Sequence, residues 1–149
     1  MIVLVHHANA VDPAIDAQRP LSEAGRAQAA SVAELLLGHG VKPACIWHSG
    51  KLRARQTAES IWRVCNPLAE FSAIRGLLPD DPPDWIRDRL TGESRQVVVV
   101  GHFPHLPRVV QAMRRDTGTG TFDFPVHGAV ALEEVDERWV ERWRVTPTT

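Results

Sequence analysis

The chain has little of several features that mark particular protein classes. Its 149 residues include no tyrosine and only two cysteines, and the formal net charge is -1. Cys45 and Cys65 lie in apolar surroundings and form neither a CxxC motif nor a Cys/His spacing typical of zinc sites, so we expect reduced, largely buried thiols. A net charge this close to zero argues against nucleic acid as the main partner.

Long apolar runs are also missing. The sequence contains no signal-peptide pattern, no lipidation motif and no apolar stretch long enough to cross a bilayer, which predicts a cytoplasmic protein without membrane association. With 44% hydrophobic residues, the composition is that of a globular protein. A chain of this length buries roughly two thirds of its unfolded surface, so we expect one domain over residues 1–149.

Two short apolar runs predict buried strands of a parallel sheet. Residues 2–8 read IVLVHHA and residues 96–101 read QVVVVG. Short runs rich in β-branched residues are typical of strands covered on both faces. His6 and His7 end the first run and His102 follows the second, which would place all three at the carboxyl edge of the sheet. Ligands bind at that edge in open α/β sheets, because strand ends and helix N-termini meet there.

The order of the other predicted elements indicates a three-layer α/β/α domain with a mostly parallel central sheet. Weaker strands are predicted at residues 44–47, 69–74, 128–135 and 139–145, and the charged alternation of the last indicates an edge strand. Loops are predicted at residues 9–20, 77–83 and 114–124. Four helices are predicted: after Ser22 as N-cap to Gly38, from Leu52 with Arg53 in its first turn, after Asp84 as N-cap to Leu90, and from Pro104 or Pro107 to Met113.

Four segments in this order resemble the motifs of the histidine phosphatase superfamily, specifically its short SixA-type phosphohistidine phosphatases. The segments are the strand ending in HHA, RPLSEAGRAQA, SGKLRARQTAE and VVVVGHFPHL, which together span about residues 2–106. The resemblance implies a phosphoglycerate mutase-like fold and a phosphohistidine intermediate. In that chemistry one histidine attacks phosphorus, while arginines and a second histidine hold the phosphoryl oxygens.

The resemblance also assigns roles to individual residues. His7 matches the nucleophile of the Arg-His-Gly/Ala motif, and Arg53 matches the arginine of the SxxxR motif that begins at Ser49. His102 matches the histidine that follows the fourth strand of the family. His6 stands where the family has arginine, which is the main departure of this sequence from the pattern.

Replacement of that arginine weakens the expected phosphate site. Arginine supplies a permanent charge and a planar fork of donors for two oxygens, whereas histidine supplies at most one donor to the same pair. Loss of one such donor costs on the order of 10² to 10³ in rate, which predicts a slow enzyme. His6 either contacts phosphate or turns into the sheet. Arg19, in the RPLS segment, is the first candidate to replace the missing fork, ahead of His48 and His105.

The resemblance implies a phosphohistidine-bearing protein or a small phosphorylated molecule as substrate, inorganic phosphate as product and no cofactor, and leaving-group chemistry favours phosphoramidates over phosphomonoesters. An alkoxide leaves poorly without a proton donor, whereas a protonated imidazole leaves readily. The resemblance implies that larger relatives carry an acidic donor in an added helical segment, for which this chain has no room. Asp80 and Asp81 are the nearest acids, although such pairs are usually solvated turn residues. Trp47 and Trp85 are candidates to line a groove for the substrate.

Two other functions fit the same residues. A catalytically silent relative would bind phosphate or a phosphorylated partner without turnover, which the replacement at His6 allows. A metal site would be built from His6, His7 and His102, with or without His105, at the same edge of the sheet. Adjacent strand residues point to opposite faces, so His6 and His7 would share an ion only if the strand had ended. Our hypothesis is phosphoryl transfer to His7 and then to water, without a metal.

Overall fold

A six-stranded sheet forms the middle layer of the structure, a computed structural model that describes residues 1–148. In chain order the strands are β1 (Ile2–His6), β2 (Cys45–His48), β3 (Glu70–Ala73), β4 (Val97–Gly101), β5 (Ala129–Val135) and β6 (Arg138–Val145). Across the sheet they follow the order β3-β2-β4-β1-β5-β6. Strands β1 to β4 are parallel, β5 is antiparallel to β1, and β6 is antiparallel to β5. The predicted mostly parallel sheet is confirmed.

Helices cover both faces of this sheet, which confirms the three-layer architecture. They are α1 (Glu23–Gly38), α2 (Leu52–Cys65), α3 (Pro83–Thr91) and α4 (His105–Arg114). Ser22 caps α1 as predicted and accepts a hydrogen bond from the Gly25 N–H at 3.0 Å. The prediction that Asp84 caps α3 is wrong. Pro82 is the N-cap and Pro83 takes the first helical position, where its fixed φ suits the helix, so Asp84 lies inside the first turn.

Residue alternation along the central strands explains why both faces of the sheet are covered. Ile2 and Leu4 of β1 pack in the cluster formed with α3 and α4, whereas Val3 and Val5 pack in the cluster formed with α1 and α2. Every residue of β1 and β4 is buried. The same alternation directs His6 toward the α3 and α4 side.

The edge of the sheet and the two thiols agree with the predictions. Strand β6 lies at one edge, and the hairpin that joins it to β5 turns at Asp136 and Glu137, whose φ angles are +52° and +64°. Two consecutive positive φ values are the requirement of a type I′ hairpin. Cys45 and Cys65 are buried and free, and burial raises the pKa of Cys65 to about 11.

No helix within residues 1–148 combines the length and the apolar surface needed to cross a bilayer.

A close approach of two backbone segments holds the loop after β1 against α1. The Asn9 carbonyl accepts a hydrogen bond from the Ser22 N–H at 3.0 Å, and the Ser22 hydroxyl is 2.9 Å from Asn9 Oδ1. A Cβ atom on Gly25 would overlap the Asn9 carbonyl oxygen. Only glycine therefore fits at this point, and the loop that leaves the end of β1 depends on it.

We expect Gly25→Ala to lower the free energy of unfolding by about 1–3 kcal/mol, because the added methyl group must displace the Asn9 backbone. Gly38→Ala is the matched control, since a Cβ on Gly38 meets nothing within 4 Å. The control should leave stability unchanged or raise it by up to about 1 kcal/mol through better helix propensity. Urea unfolding of both variants measures the difference, and equal stabilities would contradict the proposed close approach.

Candidate active site

His7 follows the last residue of β1 and has one ring nitrogen tied to the backbone. Its Nδ1 lies 2.7 Å from the Ala8 carbonyl oxygen. Because a carbonyl only accepts, Nδ1 carries the proton and Nε2 keeps its lone pair. Burial lowers the pKa of His7 to about 4, even though the bond to Ala8 acts in the opposite direction. His7 is therefore a neutral imidazole with a nucleophilic Nε2 near pH 7.

Thr57 of α2 fixes the backbone on which this tautomer depends. Its Oγ1 accepts a hydrogen bond from the Ala8 N–H at 3.0 Å and donates one to the Arg53 carbonyl oxygen at 2.8 Å. The side chain is buried. Thr57 thus links the end of β1 to the first turn of α2, where Arg53 lies.

The ring of His102 lies beside that of His7, with 5.1 Å between the ring centres. His102 is 1% exposed, and burial lowers its pKa to about 3. Its Nε2 is 2.6 Å from the Ser49 hydroxyl, while its Nδ1 is buried without a hydrogen-bond partner among residues 1–148. A proton on Nδ1 would let the Ser49 hydroxyl donate to Nε2 and leave Nδ1–H for a ligand.

Arg53 brings a permanent positive charge to the same place. It lies in the first turn of α2, which Thr57 ties to the Ala8 backbone, and its charge lowers the pKa values of His6, His7 and His102. Its Nε is buried and has no partner within the described part of the chain. Buried donors are usually paired, so two of them beside a nucleophile favour an oxyanion as the missing acceptor.

His6 lies in a stack of three rings on the α4 side of the sheet. Its ring is 3.9 Å from Phe103 and 4.9 Å from His127, with interplanar angles of 6° and 5°. Its Nδ1 accepts a hydrogen bond from the His127 N–H at 2.8 Å, so the ring proton sits on Nε2. Burial lowers the pKa of His6 to about 2. The side chain is only 7% exposed. His6 is therefore neutral, and its Nε2–H is the one ring donor that it can offer to a ligand.

Arg19, His48 and His105 are the candidates to replace the missing arginine. Of these three, Arg19 is the one whose charge affects the pKa of His7. It lowers the pKa values of His7 and Arg53. The Arg19 Nε donates to the Val11 carbonyl oxygen at 3.1 Å, and its backbone has a φ of +51°. The loop backbone and this hydrogen bond together fix the direction of the Arg19 side chain.

His48 and His105 are placed differently. The ring of His48 lies 5.0 Å from Phe71, its Nδ1 accepts from the Gly50 N–H, and the charges that act on it are those of Arg55 and Glu59. His105 is fully buried at the start of α4, and both of its ring nitrogens lack partners within residues 1–148. Neither is among the groups that perturb the pKa of His7.

Of the two tryptophans suggested to line a substrate groove, only Trp85 does so in the structure. Trp47 is buried beneath the Arg89 guanidinium, 4.8 Å from its ring, so it does not line an open groove. Trp85 is 48% exposed and lines a groove of about 400 Å³ together with Ser49 and Asp81. The Asp81 carboxylate accepts a hydrogen bond from the Leu78 N–H at 3.0 Å, as a turn residue does, and Asp80 is exposed.

The strand does end between the first two histidines, so the rings of His6 and His7 lie 4.6 Å apart. Even so, no group of three or more histidine, cysteine, aspartate or glutamate side chains within residues 1–148 is arranged to hold a metal ion. The Nδ1 atoms of His6, His7 and His127 are already occupied by backbone groups. The geometry therefore gives the metal alternative no support.

Sequence reasoning missed His127, which adjoins both His6 and His7. It belongs to the turn of residues 125–128, closed by a hydrogen bond from the Gly128 N–H to the Pro125 carbonyl oxygen, and its φ is +58°. No motif or periodicity singles it out. It reaches the site because β5 is antiparallel to β1, so the residues that precede β5 meet the residues that follow β1.

The site predicts that stability falls in acid. His6, His7 and His102 have folded-state pKa values of about 2, 4 and 3, below the ordinary value of 6.5, so unfolding takes up protons below that pH. Their contribution is complete above pH 6.5 and is lost as the pH falls, down to about 4 for His7, 3 for His102 and 2 for His6. The three histidines together should make the free energy of unfolding fall by about 4 kcal/mol per pH unit between about pH 6 and 4.5. Urea unfolding at several pH values measures this slope.

Matched variants identify the source of this slope. His102→Asn removes one of the three buried imidazoles and should reduce the slope by about a third. His39→Asn changes an exposed imidazole at the end of α1 and should preserve it. An unchanged slope in the His102 variant would show that the acid sensitivity arises elsewhere.

Comparisons with known proteins agree with this architecture. The sequence profile of the histidine phosphatase superfamily (branch 1) matches residues 3–77. The protein histidine phosphatase SixA complexed with tungstate is similar in structure over 98% of this chain and 96% of its own, with a TM-score of 0.82 and 23% identity. No curated protein sequence matches this chain.

Two further solved structures show the same likeness. A protein from Agrobacterium tumefaciens, assigned as a phosphohistidine phosphatase SixA, is 25% identical with a TM-score of 0.79, covering 99% of this chain and 97% of that one. Phosphoserine phosphatase from Entamoeba histolytica, in complex with 3-phosphoglyceric acid, is 16% identical with a TM-score of 0.74, covering 99% and 96%. The fold of this chain is thus shared with phosphatases over nearly its whole length.

Proposed function

Because the chain belongs to the histidine phosphatase superfamily, we propose that it transfers a phosphoryl group to His7 and then to water, with phosphohistidine in a protein partner as the substrate. Membership of the superfamily and the SixA-like neighbours support phosphatase activity. One observation carries the proposal for this site. Arg53 Nε and His102 Nδ1 are buried without partners among residues 1–148, next to a histidine whose Nε2 is free.

The proposed reaction begins with in-line attack of His7 Nε2 on phosphorus. Phosphoryl transfer depends mainly on positioning and on positive charge around the equatorial oxygens. Arg53 and His102 would donate to those oxygens, and Arg19 would add charge at the rim. Water then attacks the phosphoryl group on His7 and releases inorganic phosphate. None of these steps uses a cofactor.

The groove next to His102 favours a bulky aromatic leaving group. Ser49, which is bonded to His102, lines this groove with the exposed Trp85 and Leu78. The Arg75 guanidinium lies 5.2 Å from the Trp85 ring and holds it at the rim. An exposed tryptophan offers a flat surface on which an imidazole can stack, and a protein carrying that imidazole can cover the apolar rim.

His6 lowers the activity expected of this site. In place of a charged fork it supplies one neutral N–H, and burial keeps it neutral by lowering its pKa to about 2. Arg19 adds charge but is also bonded to the Val11 carbonyl oxygen. The proposal is therefore a slow phosphatase. A silent relative that binds a phosphorylated partner without turnover is the competing function, favoured by this same replacement.

The first test is phosphoryl transfer to His7. Incubation with a phosphohistidine peptide should give an acid-labile phosphoryl label on His7 and release inorganic phosphate, as shown by mass spectrometry at neutral pH and a phosphate assay. His7→Asn should abolish both, while Arg63→Lys, an exposed change on the same helix as Arg53, should preserve both.

Other results would identify the alternatives. Peptide binding without label or phosphate release would indicate the silent relative. Activity that a chelator abolishes would indicate a metal enzyme and contradict the proposed histidine chemistry.

The second test restores the arginine of the family motif. We expect His6→Arg to raise kcat/KM by up to about 10²–10³, since a charged fork replaces a single neutral donor. The His127 N–H would lose its acceptor, so the free energy of unfolding should fall by about 1–3 kcal/mol. Steady-state kinetics and urea unfolding measure the two effects. A folded variant with an unchanged rate would show that the missing fork does not limit the reaction.

A further inference from the structure

Lys51 brings a positive charge to the edge of the site, and the family motifs assign it no role. It is the N-cap of α2 and lies two residues before Arg53. On the basis of the proposed function, we propose that the Lys51 ammonium binds the phosphoryl group of the substrate and takes over part of the role of the arginine that position 6 lacks. Its ligand is thus a tetrahedral phosphorus oxyanion.

Two successive hydrogen bonds connect the Lys51 backbone to the ring beside the nucleophile. The Lys51 N–H donates to Ser49 Oγ at 3.3 Å, and that hydroxyl lies 2.6 Å from His102 Nε2. After burial and His7, positive charges that include Lys51 lower the pKa of His102. Because four flexible methylene groups join the ammonium to this anchored backbone, it can move over the edge of the site.

The Lys51 ammonium is not engaged elsewhere in the protein. The residue is exposed, and its side chain takes part in none of the hydrogen bonds or ion pairs within residues 1–148. Other cations nearby are partly occupied. Arg55 pairs with Glu59 at 3.0 Å, and Arg19 Nε donates to the Val11 carbonyl oxygen. Lys51 therefore has its whole charge free for a ligand.

Helix stability gives no reason for a lysine at this position. Serine, threonine, aspartate and asparagine are the preferred N-caps, because their side chains accept N–H groups of the first turn, and α2 has no such side-chain cap. The positive end of the helix dipole also repels a cation, yet the first turn contains Arg53 and no acidic residue. Two cations thus lie at a helix start that favours an anion. Local preferences are broken in this way mainly at functional sites.

Unpartnered donors next to Lys51 favour the same kind of ligand. His102 is 1% exposed, and its Nδ1 and the Arg53 Nε lack hydrogen-bond partners among residues 1–148. In the proposed reaction these two residues donate to the equatorial oxygens of the phosphoryl group, whose three oxygens share the negative charge. An ammonium acts as a point charge with rotatable donors, so Lys51 can serve a further oxygen without the fixed geometry of a fork.

Chemical modification of the wild-type protein tests this contact. The chain has one other lysine, Lys42, which precedes β2 at the opposite edge of the sheet and serves as an internal reference. Inorganic phosphate should slow the acetylation of Lys51 about fourfold at a concentration of about three times its Kd, and leave that of Lys42 unchanged. Mass spectrometry measures both sites in one sample. Sodium chloride at the same ionic strength controls for screening, and equal rates at Lys51 in the two salts would overturn the proposal.

Removal of the charge tests its part in the reaction. Lys51→Gln should lower kcat/KM for a phosphohistidine peptide by about threefold to tenfold, since water screens an exposed charge. The same change removes a cation from a helix N-terminus, so the urea midpoint should rise by about 0.2–0.6 M. Lys51→Arg should keep both values close to those of the wild type, and Lys42→Gln should change neither. A variant at Lys51 that loses stability together with activity would indicate a structural role and overturn the assignment.

The outcomes distinguish the role of Lys51 from the function on which it rests. Full activity of Lys51→Gln, beside an active wild type, would overturn the role of Lys51 and leave the phosphatase function intact. Protection of Lys51 by phosphate, in a protein that neither hydrolyses the peptide nor forms a label on His7, would support phosphate binding by Lys51 and overturn the phosphatase. A protein with no protection, no turnover and no label would overturn both proposals.

Discussion

The backbone hydrogen bonds at the end of β1 are the constraint on which this site depends. The His6 N–H donates to the Gly128 carbonyl oxygen at 2.9 Å, and the His7 N–H donates to the Gly101 carbonyl oxygen at 3.1 Å. Strand β1 is thereby held between β4 and β5 up to its last residue. Because His102 follows Gly101 and His127 precedes Gly128, these two bonds bring four histidines to one edge. A shift in either pairing would separate the nucleophile from its neighbours.

Burial and charge then set the chemical state of the cluster. Desolvation is the largest cause of the lowered pKa values of His6, His7 and His102, and the positive charges of Arg53, Arg19 and Lys51 lower these values further. The site therefore keeps its imidazoles neutral while concentrating positive charge around them. Such an environment favours a dianionic phosphoryl group and leaves His7 able to attack it.

The departure at His6 is accommodated by packing. The His6 ring stacks parallel to those of Phe103 and His127, and the His127 N–H occupies Nδ1. The same turn that supplies this N–H also carries the His127 ring to the His7 carbonyl oxygen. His6 is thus held by a second histidine about 120 residues away in sequence. Where the resemblance implies a charged arginine fork, the structure has a neutral stack of rings.

The sequence alone determined the layered fold and the placement of His7, Arg53 and His102. Apolar β-branched runs reveal buried strands, and Ser22 and Leu52 mark helix starts, because these signals act over a few neighbouring residues. Tertiary structure alone decided the start of α3, the burial of Trp47, the neutral state of His6 and the arrival of His127. Each of these depends on contacts between segments far apart in the chain, and local residue patterns do not specify which distant backbone group will occupy a ring nitrogen.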